Sequence, residues 1–413
     1  MDIRRLFFFL ISFTMTVAYG QVTAEKFEKF AIIQDSLFVS AYEHKDIKTY
    51  NKLLTEFLSQ YNRLPDTTKK EFSEYLNGAY YNLCCTYSLL NNKEMAIIYF
   101  KKSIDAGYID YAHIQEDSDL NNIRNEKEFK DILNQLKNIS DFLYILKKAG
   151  KYNYEDKREL PKFTYQSSDN QNLTALRKAF NLDSIAGQGT DVFKIINVLQ
   201  WIHYLIPHDG NHENPAVKNA MSMIAECKRD NRGLNCRGLA TVLNECYLSL
   251  GIKSRIVTCL PKDSLKIDSD CHVINMVYSD TLKKWLWIDP TNNAYVMNDK
   301  GELLSIEEVR ERLINDKPLI LNPDANWNRK TITKEYYLYH YMAKNLYMFE
   351  CPVNNEYNME TMQDGKIISY IKLLPLDYFA QSPDKTEEKA QKVNTTWTVY
   401  KTNNPKLFWT APK

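Results

Sequence analysis

The sequence predicts an α+β fold in which a helix packs on an antiparallel sheet, preceded by an α-helical domain and followed by a β-rich extension. Apolar residues recur at helical spacing between residues 21 and 140, which indicates helices. A capped helix begins near residue 236, and two short strand-like runs follow it. The length of 413 residues allows two or three domains.

The charge composition argues against a nucleic-acid partner. Lys and Arg total 53 and Asp and Glu total 52, giving a net charge of +1. These charges form no basic patch of the density that nucleic acid requires. We therefore expect a globular protein without a nucleic-acid partner, and no motif calls for a cofactor.

The N-terminus has the features of a signal peptide over residues 1–20. Arg4 and Arg5 give a positive start, residues 6–17 are apolar, and residues 18–20 form a small-x-small cleavage site. The apolar run is too short for a stable membrane span. We expect an exported protein in the periplasm or outside the cell, with an uncleaved N-terminal anchor as the alternative.

Residues 21–140 predict a helical domain that contains one clear repeat. Large and small residues alternate there in a fixed pattern: Tyr80, Leu83, Cys84, Tyr87, Ala96, Phe100 and Ser103. This pattern resembles the tetratricopeptide repeat. Such repeats commonly bind peptides, so the resemblance implies either a protein partner at the repeat or a purely structural role.

The segment 231–251 predicts a loop followed by a helix. Asn235 is a suitable N-cap because its side chain can accept from an early helical N–H group. Residues 239–250 then present one apolar face, and Gly251 is a fitting stop. Cys236 therefore falls in the first turn, where the helix dipole and unpaired N–H groups favour a thiolate.

Two predicted strands after this helix carry His272 and Asp289. His272 opens an alternating run, residues 285–288 are aromatic and branched, and residues 279–281 predict a hairpin turn. An antiparallel pair would bring His272 and Asp289 together, and a helix packed on that face would add Cys236. The order of nucleophile, base and orienting carboxylate predicts a catalytic triad for acyl transfer.

This arrangement resembles the transglutaminase-like superfamily of papain-like fold. The resemblance rests on Cys236 at a helix start, His272 on one strand, and Asp289 within the pattern Trp-x-x-x-Asp-Pro-Thr at 285–291. It covers roughly residues 190–312. The family contains peptidases, amidases and transamidases. Arg237 stands where the crosslinking enzymes carry Trp, which argues against protein crosslinking.

The resemblance implies a cysteine-dependent enzyme that acts on peptide or amide bonds. The export expected from residues 1–20, without signs of a crosslinking role, favours hydrolysis. The expected substrate is a peptide or protein, and a cell-wall peptide is one candidate. Two alternatives stay open. An amine could replace water and give a transamidase, or the triad could be inactive in a protein- or glycan-binding module.

Five residues near the triad are predicted to contact substrate: His208, Asp209, Asn235, Arg237 and Trp287. The first two belong to a loop that we place on the rim of the site. The pair His208 and His212 could suggest a metal, but Gly210 and neighbouring turn residues argue against the helix such spacing needs. With no third ligand evident, no metal site is predicted.

The remaining chain is divided by composition. Polar, turn-rich runs predict a linker at 141–185, which places the catalytic domain at 186–315. Residues 316–413 predict an aromatic helix from 336 to 348 and later strands, including a hairpin around residues 403–405. This β-rich extension is either an accessory module or a continuation of the core sheet.

The eight cysteines show no disulfide framework, because their spacings are irregular. Cys246 lies on the apolar helix face, where a free thiol is ordinary packing. Cys271 directly precedes His272 and is expected to point to the opposite face of the sheet.

Overall fold

The computed structural model describes residues 23–263, 265, 270–390 and 392–412. The predicted signal peptide lies outside these residues. The chain divides into two compact units, residues 1–140 and 141–413. Within the described ranges, no helix combines the length and the apolar composition that crossing a bilayer requires.

The first unit is helical, as predicted. Its helices are α1 (Ala24–Glu43), α2 (Ile47–Tyr61), α3 (Asp66–Glu71), α4 (Ser73–Leu89), α5 (Lys93–Asp105), α6 (Tyr111–Glu116) and α7 (Lys127–Ser140), with a 3₁₀ turn at Ser118–Leu120. Helices α4 and α5 pack against each other across a short turn. Cys84, Ala96 and Phe100 are fully buried between helices. The more specific resemblance to a tetratricopeptide repeat stays a prediction.

The second unit mixes helices and strands. Its helices are α8 (Phe142–Lys147), α9 (Gln171–Ala179), α10 (Leu182–Ala186), α11 (Asp191–Leu205), α12 (Ala220–Asp230), α13 (Cys236–Ser249), α14 (Ile306–Ile314), a π-helix (Glu335–Met342), α15 (Ala343–Asn345) and α16 (Pro405–Phe408). Its strands are β1 (Thr164–Tyr165), β2 (Ser254–Leu260), β3 (His272–Ser279), β4 (Lys284–Ile288), β5 (Val296–Met297), β6 (Ile320–Leu321), β7 (Asn326–Trp327), β8 (Lys330–Thr331), β9 (Met348–Pro352), β10 (Asn354–Asn355), β11 (Ile367–Leu373), β12 (Lys385–Lys389) and β13 (Thr396–Thr402).

A seven-stranded sheet organises this unit. Its strand order is β12-β13-β11-β9-β2-β3-β4, and every neighbouring pair is antiparallel except β11 and β13. Helix α13 packs on β2 and β3. The predicted mixed fold, with a helical N-terminal region and a mostly antiparallel sheet, is confirmed.

The C-terminal strands continue the core sheet. Strand β9 pairs with β2, and β11 pairs with β9, so no separate β module forms from these strands. The hairpin predicted around residues 403–405 is wrong, because residues 405–408 form α16. Pro405 stands at the start of this helix, and Asn404 caps it by accepting from the Lys406 N–H group, which together favour a helix over a strand.

The linker predicted at residues 141–185 is folded into the second unit, which corrects that prediction. The segment contains three helices and strand β1, which pairs with β10. Leu146, Leu173 and Leu176 are fully buried. These apolar side chains hold the segment to the core, while the polar runs between them form turns.

Helix α13 is buried around its whole circumference, although the sequence predicts only one apolar face. Every residue from Gly238 to Ser249 is buried. Ala240 contacts Ile256 and Val273 on the sheet side. On its polar side, Glu245 accepts from the backbone N–H groups of Ala220 and Asn358 at 2.7 and 2.8 Å. Burial raises the pKa of Glu245 to about 8.

Arg255 on β2 ties the two ends of the second unit together. Its side chain is fully buried. It donates to the Tyr165 hydroxyl at 2.6 Å and to the backbone carbonyls of Phe408 and Thr410 at 2.9 and 2.8 Å. The guanidinium also lies over the Phe163 ring, 3.7 Å from its centroid. Its partners are thus neutral oxygens and aromatic rings.

We expect Arg255→Met to lower the free energy of unfolding of the second unit by about 3 kcal/mol, because buried carbonyls lose their donors. All six tryptophans lie in the second unit, so a urea titration followed by tryptophan fluorescence reports on it alone. Arg229→Met is the control, since Arg229 is exposed and pairs with its neighbour Asp230. Equal midpoints for both variants would contradict the anchoring role of Arg255.

Candidate active site

Cys236 is the first residue of α13, as predicted. The Asn235 side chain caps the helix by accepting from the Gly238 N–H group at 3.1 Å. Asn214 fixes this cap, donating to the Asn235 side chain at 2.6 Å and accepting from its backbone N–H at 3.1 Å. A side chain at position 238 would collide with Asn214, so glycine is needed there. The thiol points toward the Cys271 carbonyl oxygen, 3.9 Å away.

His272 and Asp289 form a buried pair beside Cys236. The His272 Nε2 atom lies 2.7 Å from an Asp289 carboxylate oxygen, and both side chains are almost fully excluded from solvent. Asp289 also accepts from the Tyr337 hydroxyl at 2.6 Å, the Asn292 amide at 2.9 Å and the Thr291 backbone N–H at 2.8 Å. These donors satisfy a carboxylate that burial would otherwise disfavour.

The three groups shift one another's ionisation. Burial works against a thiolate at Cys236, but hydrogen bonding from His208 and His272, with the charge of His272, lowers its pKa to about 6. Burial alone would lower the pKa of His272, but the Asp289 charge and hydrogen bond raise it to about 10. Burial likewise opposes ionisation of Asp289, yet His272 and the surrounding donors hold its pKa below the usual range. The arrangement favours a thiolate beside an imidazolium.

A cavity of about 620 Å³ opens over these residues. Cys236 and His272 line it, as do three of the predicted substrate contacts, His208, Asn235 and Arg237. Aromatic and aliphatic side chains from the later part of the chain complete its wall, namely Trp327, Ile332, Tyr336 and Tyr341. This side of the cavity is therefore largely apolar and aromatic.

Arg237 is held at the cavity by a buried partner. It donates to the Glu360 carboxylate at 2.5 Å and to the Thr258 hydroxyl at 2.7 Å. Glu360 in turn accepts from the Tyr370 hydroxyl at 3.0 Å. The large side chain that follows Cys236 is thus anchored to the sheet in one position.

Two predicted substrate contacts are not brought to the cavity. Trp287 is fully buried, and its indole N–H donates to the Tyr337 hydroxyl at 3.2 Å, so it supports the site from behind. The Asp209 carboxylate lies 2.7 Å from His212 Nδ1 on the surface. Among the described residues, no group of three His, Cys, Asp or Glu side chains is placed to hold a metal ion.

Cys271 does not point away from the site as the sequence predicts. It lines the same cavity as Cys236. The strand begins only at His272, so alternation along β3 does not fix the direction of the preceding side chain. Burial and nearby Cys236 raise the pKa of Cys271 to about 11, which leaves it a thiol at neutral pH.

Several site residues come from a region in which the sequence indicates no chemistry. Tyr337 and Tyr341 lie on the π-helix, and the Tyr341 hydroxyl is 3.4 Å from His272 Nδ1. Trp327 lies on the β7–β8 hairpin, and its indole N–H donates to His208 Nδ1 at 3.1 Å. The aromatic richness of residues 327–341 was the one available signal, and it does not distinguish a cavity wall from ordinary core packing.

The lowered pKa of Cys236 predicts fast alkylation in weakly acidic solution. We expect its rate of reaction with iodoacetamide to rise with pH through a midpoint near 6 and then level off. The rate levels off because Cys236 is almost entirely thiolate above that pH. In His272→Ala the midpoint should move above about 8, the range of an ordinary thiol.

Peptide mapping by mass spectrometry assigns the label to Cys236 at each pH. His44→Ala is the matched control, because His44 is exposed and lies in the first unit. A wild-type midpoint at or above that of His272→Ala would contradict the ion pair.

Comparison with known proteins gives partial matches to a curated protein and to a solved structure. A curated chloroplast protein of Arabidopsis thaliana is 33% identical over 66 residues, which are 16% of this chain and 20% of that protein. This match thus spans one fifth of the relative's length. A solved structure from Cytophaga hutchinsonii, described as a candidate cysteine protease, is 17% identical, with a TM-score of 0.23. That match covers 32% of this chain and 40% of the solved chain.

A family model gives the clearest assignment. Residues 178–290 match the model described as "Transglutaminase-like superfamily". The matched segment covers well under half of the chain and contains Cys236, His272 and Asp289. The family match therefore supports a transglutaminase-like domain within the second unit, over residues 178–290.

Proposed function

We propose that the protein is an exported thiol enzyme that cleaves peptide or amide bonds, with Cys236 as nucleophile, His272 as acid–base and Asp289 as the orienting carboxylate. The observation that carries this proposal is the buried His272–Asp289 pair, 2.7 Å apart, beside a cysteine at a helix start in an open cavity. Nucleophile, base and third group then stand in the order that covalent acyl transfer uses.

The first half-reaction transfers the acyl group to sulfur. The Cys236 thiolate attacks the carbonyl carbon, the S–C bond forms, and negative charge moves to the carbonyl oxygen. The backbone N–H at the start of α13 is suited to stabilise that oxyanion. When the C–N bond breaks, the His272 imidazolium gives its proton to the leaving amine, which leaves an acyl-thioester and a neutral imidazole.

The second half-reaction releases the acyl group. Neutral His272 takes a proton from water, the resulting hydroxide attacks the thioester, and the C–S bond breaks to restore the thiolate and the imidazolium. An amine in place of water gives transamidation by the same steps. Hydrolysis is the favoured outcome because the predicted export comes without signs of a crosslinking role, and because Arg237 stands where the crosslinking enzymes carry Trp.

Export is part of the proposal, on the basis of residues 1–20 alone. An exported enzyme would meet peptides of the cell envelope or extracellular proteins. The apolar and aromatic wall formed by Trp327, Ile332, Tyr336 and Tyr341 suits a peptide-like acyl donor. The helical first unit could bind a protein partner, as tetratricopeptide-like repeats commonly do.

The direct test is the formation of an acyl-enzyme. We expect p-nitrophenyl acetate to add one acetyl group to Cys236, detected by intact mass and peptide mapping. Cys236→Ala should abolish this adduct. His272→Ala should slow it by about a hundredfold, because the thiolate loses the imidazolium that stabilises it.

Cys271 provides an internal comparison within each digest, because it lines the same cavity but has a raised pKa. Wild-type protein that acetylates no faster at Cys236 than at Cys271 would contradict the enzyme proposal and favour a binding module. The fate of the acetyl group separates the two activities. A hydrolase releases it to water as acetate, whereas a transamidase transfers it to an added amine.

A further inference from the structure

We propose that His208 donates its Nε2–H group to the oxyanion formed at Cys236, and that Trp327 holds His208 in the tautomer that can donate. This inference rests on the proposed function, because it assigns a second donor to the same acyl-transfer step. It gives two roles to the two histidines of the cavity, one for proton transfer and one for charge stabilisation.

The backbone brings His208 to the nucleophile. The segment 207–209 runs beside Leu234, two residues before Cys236. The Leu234 N–H donates to the Pro207 carbonyl at 3.2 Å, and the Asp209 N–H donates to the Leu234 carbonyl at 2.8 Å. A Cβ at position 233 would lie 2.4 Å from the Pro207 carbonyl oxygen, so Gly233 permits this close approach.

The hairpin β7–β8 clamps His208 in place. The Asn328 side chain accepts from the His208 backbone N–H at 2.8 Å and donates to its carbonyl at 2.9 Å. Asn328 and Arg329 both have positive φ, 48° and 69°, and form the two-residue turn of this hairpin. The turn therefore aims both Asn328 and Trp327 at the same residue.

The contact with Trp327 decides which ring nitrogen carries the proton. The indole N–H can only donate, and it lies 3.1 Å from His208 Nδ1, so Nδ1 must accept. The proton of the neutral ring is then on Nε2. Since Trp327 occupies Nδ1, the ring nitrogen of His208 that is left to act on the cavity shared with Cys236 is Nε2, which carries the proton.

The same donor can serve both charge states of the reaction. In the resting enzyme, Nε2–H would stabilise the sulfur anion across the cavity that the two residues line. As the S–C bond forms, that negative charge moves to the carbonyl oxygen. The Nε2–H group then donates its hydrogen bond to this oxygen instead of to sulfur, and no proton is transferred. The described side-chain partner of His208 is an indole, whereas His272 has a carboxylate. His208 is therefore equipped to donate a hydrogen bond and not to act as the general base.

Comparing two reactions of Cys236 shows whether His208 donates to an oxyanion or only stabilises the thiolate. Acetylation by p-nitrophenyl acetate passes through an oxyanion, whereas alkylation by iodoacetamide displaces iodide at a saturated carbon and forms none. Both rates would be measured on full-length wild type, His208→Ala, His208→Gln and Trp327→Phe. His212→Gln is the matched control from the same loop, with a largely exposed side chain.

We expect His208→Ala to slow acetylation by about a hundredfold, the usual effect of losing one oxyanion donor, and alkylation by less than about tenfold. His208→Gln should recover part of the acetylation rate, because its amide can donate. Trp327→Phe should slow acetylation by about tenfold, since the ring proton can then move to Nδ1. The clamp by Asn328 uses the backbone of His208 and is retained in both His208 variants.

Equal losses in acetylation and alkylation, or no loss in either, would overturn this inference and leave the enzyme proposal intact. Wild-type protein that is not acetylated at Cys236 would instead overturn the enzyme proposal and this inference with it. An unchanged far-UV circular dichroism spectrum in the two His208 variants checks that the protein remains folded.

Discussion

One buried carboxylate supports the whole site. Asp289 is fully excluded from water, yet it lies against His272 and accepts hydrogen bonds from Tyr337, Asn292 and the turn that follows it. Without these donors a buried carboxylate would take up a proton instead of remaining charged. Because it stays charged, it favours the imidazolium of His272, and that cation in turn favours the thiolate of Cys236. The electrostatic support for the Cys236 thiolate therefore begins at Asp289 and passes through His272 to the sulfur.

The later part of the chain is required to complete this support. The family match ends at residue 290, but Tyr337, Trp327 and Glu360 all lie beyond it. Each reaches the site through a hydrogen bond to Asp289, His208 or Arg237. Strand β9 joins β2 directly, so the sheet under the nucleophile continues into this region. The second unit is thus better regarded as one folded body around the site than as a core with an accessory module.

Local signals in the sequence were sufficient for the centre of the site. An N-cap before an apolar helix predicts where α13 begins, and two strand-like runs around a turn predict β3 and β4, as observed. The misplaced residues depend on contacts distant in sequence. Trp287 has the same aromatic character whether it faces a cavity or Tyr337. Glu245 interrupts an amphipathic pattern, and only the N–H groups of Ala220 and Asn358 make its burial possible. The partnership of His208 with Trp327 spans more than a hundred residues and leaves no local trace.

His272 and His208 differ in their hydrogen-bond partners, and these partners favour different protonation states of the same ring. A carboxylate lies against Nε2 of His272, which stabilises a positive ring and leaves Nδ1 on the side of the site where Tyr341 lies. An indole N–H occupies Nδ1 of His208, which fixes the proton on Nε2. The first arrangement suits a group that gives and takes a proton during each half-reaction. The second suits a group that keeps its proton and only points it at developing charge. If the two partners were exchanged, neither histidine could keep its role. An indole N–H beside His272 would not stabilise an imidazolium. A carboxylate beside His208 would no longer require that ring to be neutral.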